Sequence, residues 1–95
     1  MKHARPQALE AIEPLLQKLR TIRGLVERKR GILYRGATAF LHFHEDPAGM
    51  FADLKSGNDF ERYPLNIKAE ISRLLHAAKA RASTPGGAPR PRPRP

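Results

Sequence analysis

The chain contains no cysteine. That excludes a disulfide framework and any thiolate zinc site, and with them the usual build of a small secreted domain. Long hydrophobic runs are missing too. The N-terminal stretch MKHARPQALEAIEP lacks the apolar core of a signal peptide. Nothing further along approaches the roughly 20 apolar residues of a membrane span. Acidic residues are few, 9 against 18 Lys plus Arg, for a net charge of +9. No serine sits where a nucleophile would be activated: Ser56 falls in a turn, Ser72 in a helix and Ser83 in the tail. These absences lead to an expected soluble, cytoplasmic protein of bacterial type, with no cofactor, no membrane partner and a leaning away from catalysis.

What is present is compact. A chain of 95 residues allows one domain. A domain of this size sits near the lower limit for a self-supporting core, so a dimer would help it. The boundaries are expected at 1–82 for a single α+β domain and 83–95 for a disordered tail. The tail, STPGGAPRPRPRP, alternates proline with arginine and offers nothing large and apolar to bury.

Charge is unevenly distributed along the chain. Residues 18–35 carry Lys18, Arg20, Arg23, Arg28, Lys29, Arg30 and Arg35 against Glu27 alone. Residues 40–61 carry Glu45, Asp46, Asp53, Asp59 and Glu61 against Lys55 alone. A basic excess favours anionic partners in general without choosing among them.

Leu9, Ile12, Leu15, Leu16, Leu19 and Ile22 recur at helical spacing, with Pro14 either kinking one helix or opening a second. Gly24 is expected to close that segment. Residues 25–31 fit either a short strand or a basic loop. From Ile32 the period becomes two, and three turns punctuate it: Gly36-Ala37, Asp46-Pro47-Ala48-Gly49 and Gly57-Asn58. Strands are predicted at about 32–35, 38–45, 50–55 and 60–63. A helix from Ile67 to about Arg81 follows, with Asn66 as its N-cap.

Turn positions fix register. They predict the pairs Tyr34–Ala39, Leu33–Phe40, Ile32–Leu41, His42–Asp53, Leu41–Leu54, Asp53–Arg62 and Lys55–Phe60. The expected core face is Ile32, Tyr34, Ala39, Leu41, Phe43, Met50, Ala52, Leu54 and Tyr63, with Glu61 falling on it at the edge. The expected fold is α+β: a four-stranded antiparallel meander (α-β-β-β-β-α) with helices on one face, in two layers. The other face, left open, would present Leu33, Phe40, His42, His44, Phe51, Asp53, Lys55, Phe60 and Arg62.

The core AFLHFHEDPAG-FADL followed by DFERY resembles short uncharacterised bacterial proteins over roughly residues 12–80. More loosely, the order helix, meander, helix is similar to the MmcQ/YjbR type of α+β domain, some members of which have been suggested to bind DNA. Neither resemblance implies catalytic residues.

Three constellations follow. His42 and His44, two apart on one strand, could chelate zinc or iron with Asp53 as third ligand, although half-exposed polar residues commonly sit this way. His42, Asp53 and Arg62 form a cross-strand row, either a charge ladder or an acid/base and anion site. Leu33, Phe40, Phe51 and Phe60 form an apolar patch of the kind that marks a partner surface. The leading expectation is a binding module that self-associates through the open face. The alternative is a nucleic-acid-binding protein using Arg23, Arg28, Lys29, Arg30 and Arg35 with tail residues Arg90, Arg92 and Arg94. A metal or acid/base enzyme at His42, His44 and Asp53 stands behind both.

Overall fold

The structure, a computed structural model, describes residues 2–83, with Lys2 and His3 described as backbone alone. Of the tail expected at 83–95, Ser83 is described, as the residue that caps the last helix, and residues 84–95, with Arg90, Arg92 and Arg94, lie outside the described residues. The elements are β1 (Lys2–His3), α1 (Pro6–Ala11), α2 (Glu13–Arg20), β2 (Leu25–Lys29), β3 (Ile32–Arg35), β4 (Thr38–Asp46), β5 (Gly49–Ser56), β6 (Asp59–Pro64) and α3 (Lys68–Ala82). The fold is α+β. Its antiparallel sheet runs β2-β3-β4-β5-β6, with β1 alongside β4. The expected four-strand meander therefore gains β2 at one edge, which resolves residues 25–29 as strand. Among the described residues no helix is long and apolar enough to cross a membrane.

Pro14 opens a second helix rather than kinking one. It lies in the first turn of α2, where a missing N–H costs no intrahelical bond. The helix ends at Arg20, short of Gly24. Both helices keep one apolar stripe: Leu9, Ile12, Leu15, Leu16 and Leu19 are buried. From α3 come Leu74, Ala78 and Ala82, at intervals of four. Phe43, Leu41, Leu54 and Leu33 meet them from the sheet, and all four are fully buried.

The β4–β5 and β5–β6 registers are those the turns predict: His42 faces Asp53, Leu41 faces Leu54, Asp53 faces Arg62 and Lys55 faces Phe60. The β3–β4 register departs from prediction. Tyr34 does face Ala39, but Leu33 faces Leu41 and Ile32 faces His42, so Phe40 is a bulged extra residue. Leu33 is 0% exposed and Phe40 4%, so neither belongs to the open face. Ile32, Tyr34 and Ala39, expected in the core, move to the opposite side by the same shift.

The energetics explain the bulge. A regular ladder would leave the Phe40 ring in water, whereas burying it contributes about 1.5–3 kcal/mol. One forgone ladder hydrogen bond costs about 0.5–1.5 kcal/mol.

Asn66 is not the cap of α3. Ile67 takes that position without a side-chain cap bond. The Glu70 carboxylate reaches back to accept from the Asn66 and Ile67 N–H groups at 2.7 and 3.2 Å. Asn66 Oδ1 instead accepts from the Met50 N–H at 3.0 Å, tying the loop before α3 to the start of β5.

Glu61 does fall on the helix side, and there it meets Arg81, which also donates to the Lys55 carbonyl at 3.1 Å. Arg35 Nη1 donates to the Arg81 carbonyl at 3.2 Å, a cation at the C-terminal end of α3, where the helix dipole favours one.

Candidate functional site

Neighbours across a sheet share a face, so the two correct registers place a polar row on the uncovered side of the central strands. His42 and His44 project from β4, Asp53 from β5 and Arg62 from β6. His44 Nε2 lies 2.9 Å from His42 Nδ1 and 3.1 Å from Asp53 Oδ2. Arg62 grips the same carboxylate from the other side, donating from Nε to Oδ1 at 2.9 Å and from Nη2 to Oδ2 at 3.1 Å. Asp53 is only 8% exposed, although it belongs to the uncovered face. The Phe60 ring leans on His42, with centroids 4.8 Å apart and planes at 58°.

Two opposed effects act on the Asp53 carboxyl. Burial pushes its pKa up. The Arg62 guanidinium, by hydrogen bond and charge, and the His44 and His42 imidazoles more than offset this, so the value falls below the ordinary aspartate range. A depressed carboxyl stabilises the fold fully above the unfolded value, about 3.9. That contribution is lost as pH falls through the lower, folded value. Asp53→Asn is therefore expected to flatten the loss of melting temperature below about pH 4. Glu13, Glu27 and Glu61 are also held low, so the variant should retain part of the slope. Thermal melts from pH 2.5 to 7 would check this; a slope identical to that of the parent chain would count against it.

Comparison of the chain with protein-family models, curated proteins and solved structures finds no match.

Beside the polar row, toward the Gly36 and Gly57 turns, stand two aromatic rings, each with a cation. Arg28 lies over the Tyr34 ring at 5.1 Å to the centroid. Lys55 lies over the Phe60 ring at 5.1 Å. Phe60 is 40% exposed and Val26, which faces Tyr34 across β2–β3, is 56% exposed. Phe51 and Ile32 are half-buried on the same side.

Strand alternation also sorts the charges. Glu27, Glu45 and Glu61 face Leu33, Met50 and Leu54 in the ladders, so they fall on the helix side. Lys29, Lys55 and Arg62 face Ile32, Phe60 and Asp53 on the uncovered side. The acidic block that 40–61 forms in one dimension thus leaves Asp53 and Asp46 as the carboxylates of the uncovered face. Asp46 accepts from the Ala48 N–H at 2.7 Å in its own turn, and its charge also acts on Arg62.

The basic stretch 18–35 does not form one surface. Arg28 and Lys29 go to the uncovered side. Arg30 pairs with Glu13 at 3.0 Å and Arg35 is bound to the end of α3, both on the helix side. Arg20 is clamped between Glu13 and Glu27. Arg23 is exposed in the turn before β2. Of the expected open face, His42, His44, Phe51, Asp53, Lys55, Phe60 and Arg62 are brought together, while Leu33 and Phe40 go to the core. Val26, Ile32 and Tyr34 replace them. The sign of this exchange is the run Ala39-Phe40-Leu41: three successive apolar residues cannot alternate, and a bulge is one way a strand accommodates them.

Proposed function

We propose that this protein is a binding module, not a catalyst, and that its uncovered sheet face takes single-stranded nucleic acid. The supporting observation is the pair of cation-flanked rings, Tyr34 with Arg28 and Phe60 with Lys55, on a face to which alternation sends bases and few acids. Flat rings stack on bases of any sequence, worth about 1–3 kcal/mol per base. Adjacent cations meet the phosphates.

Self-association through the same face is less well supported. Across a two-fold axis the face would meet itself, setting a patch that carries Arg28, Lys29, Lys55 and Arg62 against a second patch of the same composition. With +9 on each copy, this repulsion is not small.

Fluorescence anisotropy of a labelled mixed-sequence oligonucleotide with the full chain tests the reading. Affinity is expected to fall about tenfold or more between 50 and 200 mM salt. Phe60→Ala should weaken it by roughly fivefold to a hundredfold, the equivalent of one lost stacking partner. Undiminished binding by Phe60→Ala and by Tyr34→Ala, with all affinity lost on deleting residues 84–95, would overturn the face as the site. A dimer in sedimentation that Phe60→Asp dissociates, with no oligonucleotide bound, would replace nucleic acid by a second copy as the occupant.

A further inference from the structure

We infer that His42, His44 and Asp53 form a binding site for a divalent transition metal of the zinc type, independent of any nucleic acid. One donor atom from each residue falls within a sphere where all three lie within 4.8 Å of one another. The backbone register already places the three residues side by side on one face. His42 and His44 leave one face of β4, where alternate residues stand about 6.5–7 Å apart. Their rings nevertheless turn inward until two nitrogens are 2.9 Å apart. Asp53 sits directly across from His42 in the ladder and reaches His44 Nε2 at 3.1 Å.

The protonation chemistry of this convergence favours a cation. His44 Nε2 carries at most one hydrogen, yet it is within reach of a ring nitrogen and a carboxylate oxygen at once. A metal ion satisfies all three lone pairs together. Zinc bonds of about 2.0–2.2 Å to nitrogen and oxygen set neighbouring ligands of a tetrahedron about 3.3–3.5 Å apart. The pairs at 2.9 and 3.1 Å open by a few tenths of an ångström and the widest separation, up to 4.8 Å, closes by more than about 1 Å, through rotation of the side chains. His42 and His44 are half-buried, so solvent reaches their side of the cluster and can supply a fourth ligand.

The surroundings resemble an outer shell. Arg62 holds the carboxylate by two hydrogen bonds and fixes its plane, while Phe60 packs against His42. The Arg62 charge opposes any dication, so selection falls to metals with a strong preference for imidazole. Two nitrogens and one oxygen suit Zn²⁺, Co²⁺, Ni²⁺ or Cu²⁺, and are a poor match for Mg²⁺ or Ca²⁺, which require oxygen ligands.

The test is calorimetric titration of the full chain with zinc chloride, then magnesium chloride, in the absence of nucleic acid. One zinc per chain and no magnesium are expected. His44→Ala and Asp53→Asn should each lower zinc affinity by about tenfold or more. His76→Ala, on the exposed side of α3, should leave it unchanged. Circular dichroism checks that each variant is folded. Cobalt titration of the parent chain gives a second readout, the visible bands of a four-coordinate centre, which needs no variant. No zinc uptake, or uptake that persists in folded His44→Ala or is lost in His76→Ala, overturns the site.

Discussion

Phe40→Asp is expected to unfold the domain, whereas Phe60→Asp should leave it folded and remove the oligonucleotide binding proposed for the uncovered face. The two phenylalanines are both strand residues near the polar row. Phe40 is 4% exposed and Phe60 40%. Truncating a buried phenylalanine costs about 3–5 kcal/mol. Leaving a carboxylate without a partner in that space costs several kcal/mol more, or forces its protonation. A domain of this length holds only about 4–12 kcal/mol in total, at about 0.05–0.15 kcal/mol per residue. Phe60→Asp replaces a ring that water already reaches, so a change of about 0.5 kcal/mol either way is expected. It also sets a carboxylate beside Lys55, which cancels the cation that flanked the ring. Far-UV circular dichroism and thermal melts separate the cases: a cooperative transition in Phe40→Asp near that of the parent chain would mean that the bulge does not bury this ring.

Gly49→Ala is the second large effect expected. Gly49 has φ +132°, a backbone conformation that side chains rarely adopt. A Cβ there would lie 2.2 Å from Asn66 Oδ1, so Asn66 would have to leave the Met50 N–H it accepts from. Strain of about 1–3 kcal/mol plus about 1 kcal/mol for the lost hydrogen bond gives about 2–4 kcal/mol. Gly36→Ala is the comparison: its φ is +64° and nothing lies within 4 Å of the added methyl. Denaturant melts should show a clearly larger loss for Gly49→Ala. Adding Asn66→Ala should recover little, because it relieves the clash and not the backbone. Equal losses at the two glycines would show that the close approach to Asn66 has no weight. Since this turn fixes the register that sets His42 against Asp53, the same variant should also blunt zinc uptake.

How legible all this is in the sequence depends on local turn chemistry. Asp46-Pro47-Ala48-Gly49 and Gly57-Asn58 each dictate a turn, and every β4–β5 and β5–β6 pair inferred from them is present. The polar row was therefore readable from spacing alone. Gly36-Ala37 likewise places Tyr34 opposite Ala39, but the ladder then slips by one residue. That slip is decided by how much apolar surface the helices can cover, a tertiary quantity that no dipeptide encodes. Strand β2 was ambiguous for a related reason. At a sheet edge, Leu25 is the one buried residue of the strand, so its alternation is weak. The partition of charge between the faces was hidden because linear blocks of sign do not respect alternation. Residues 40–61 read as acidic, yet Glu45 and Glu61 turn away from the face on which Lys55 and Arg62 stand.

The irregularity in β2 between Glu27 and Lys29 has a consequence for how copies of this chain meet. An outermost strand offers unpaired amides that can template another molecule and start fibrillar growth. With Arg28 pushed out of the ladder and charged residues around it, that rim is a poor template. At the opposite rim, Pro64 ends β6 without an amide hydrogen to donate. Both borders thus discourage sheet-to-sheet extension, which leaves a concentrated solution of this small domain guarded against stacking into aggregates at either end.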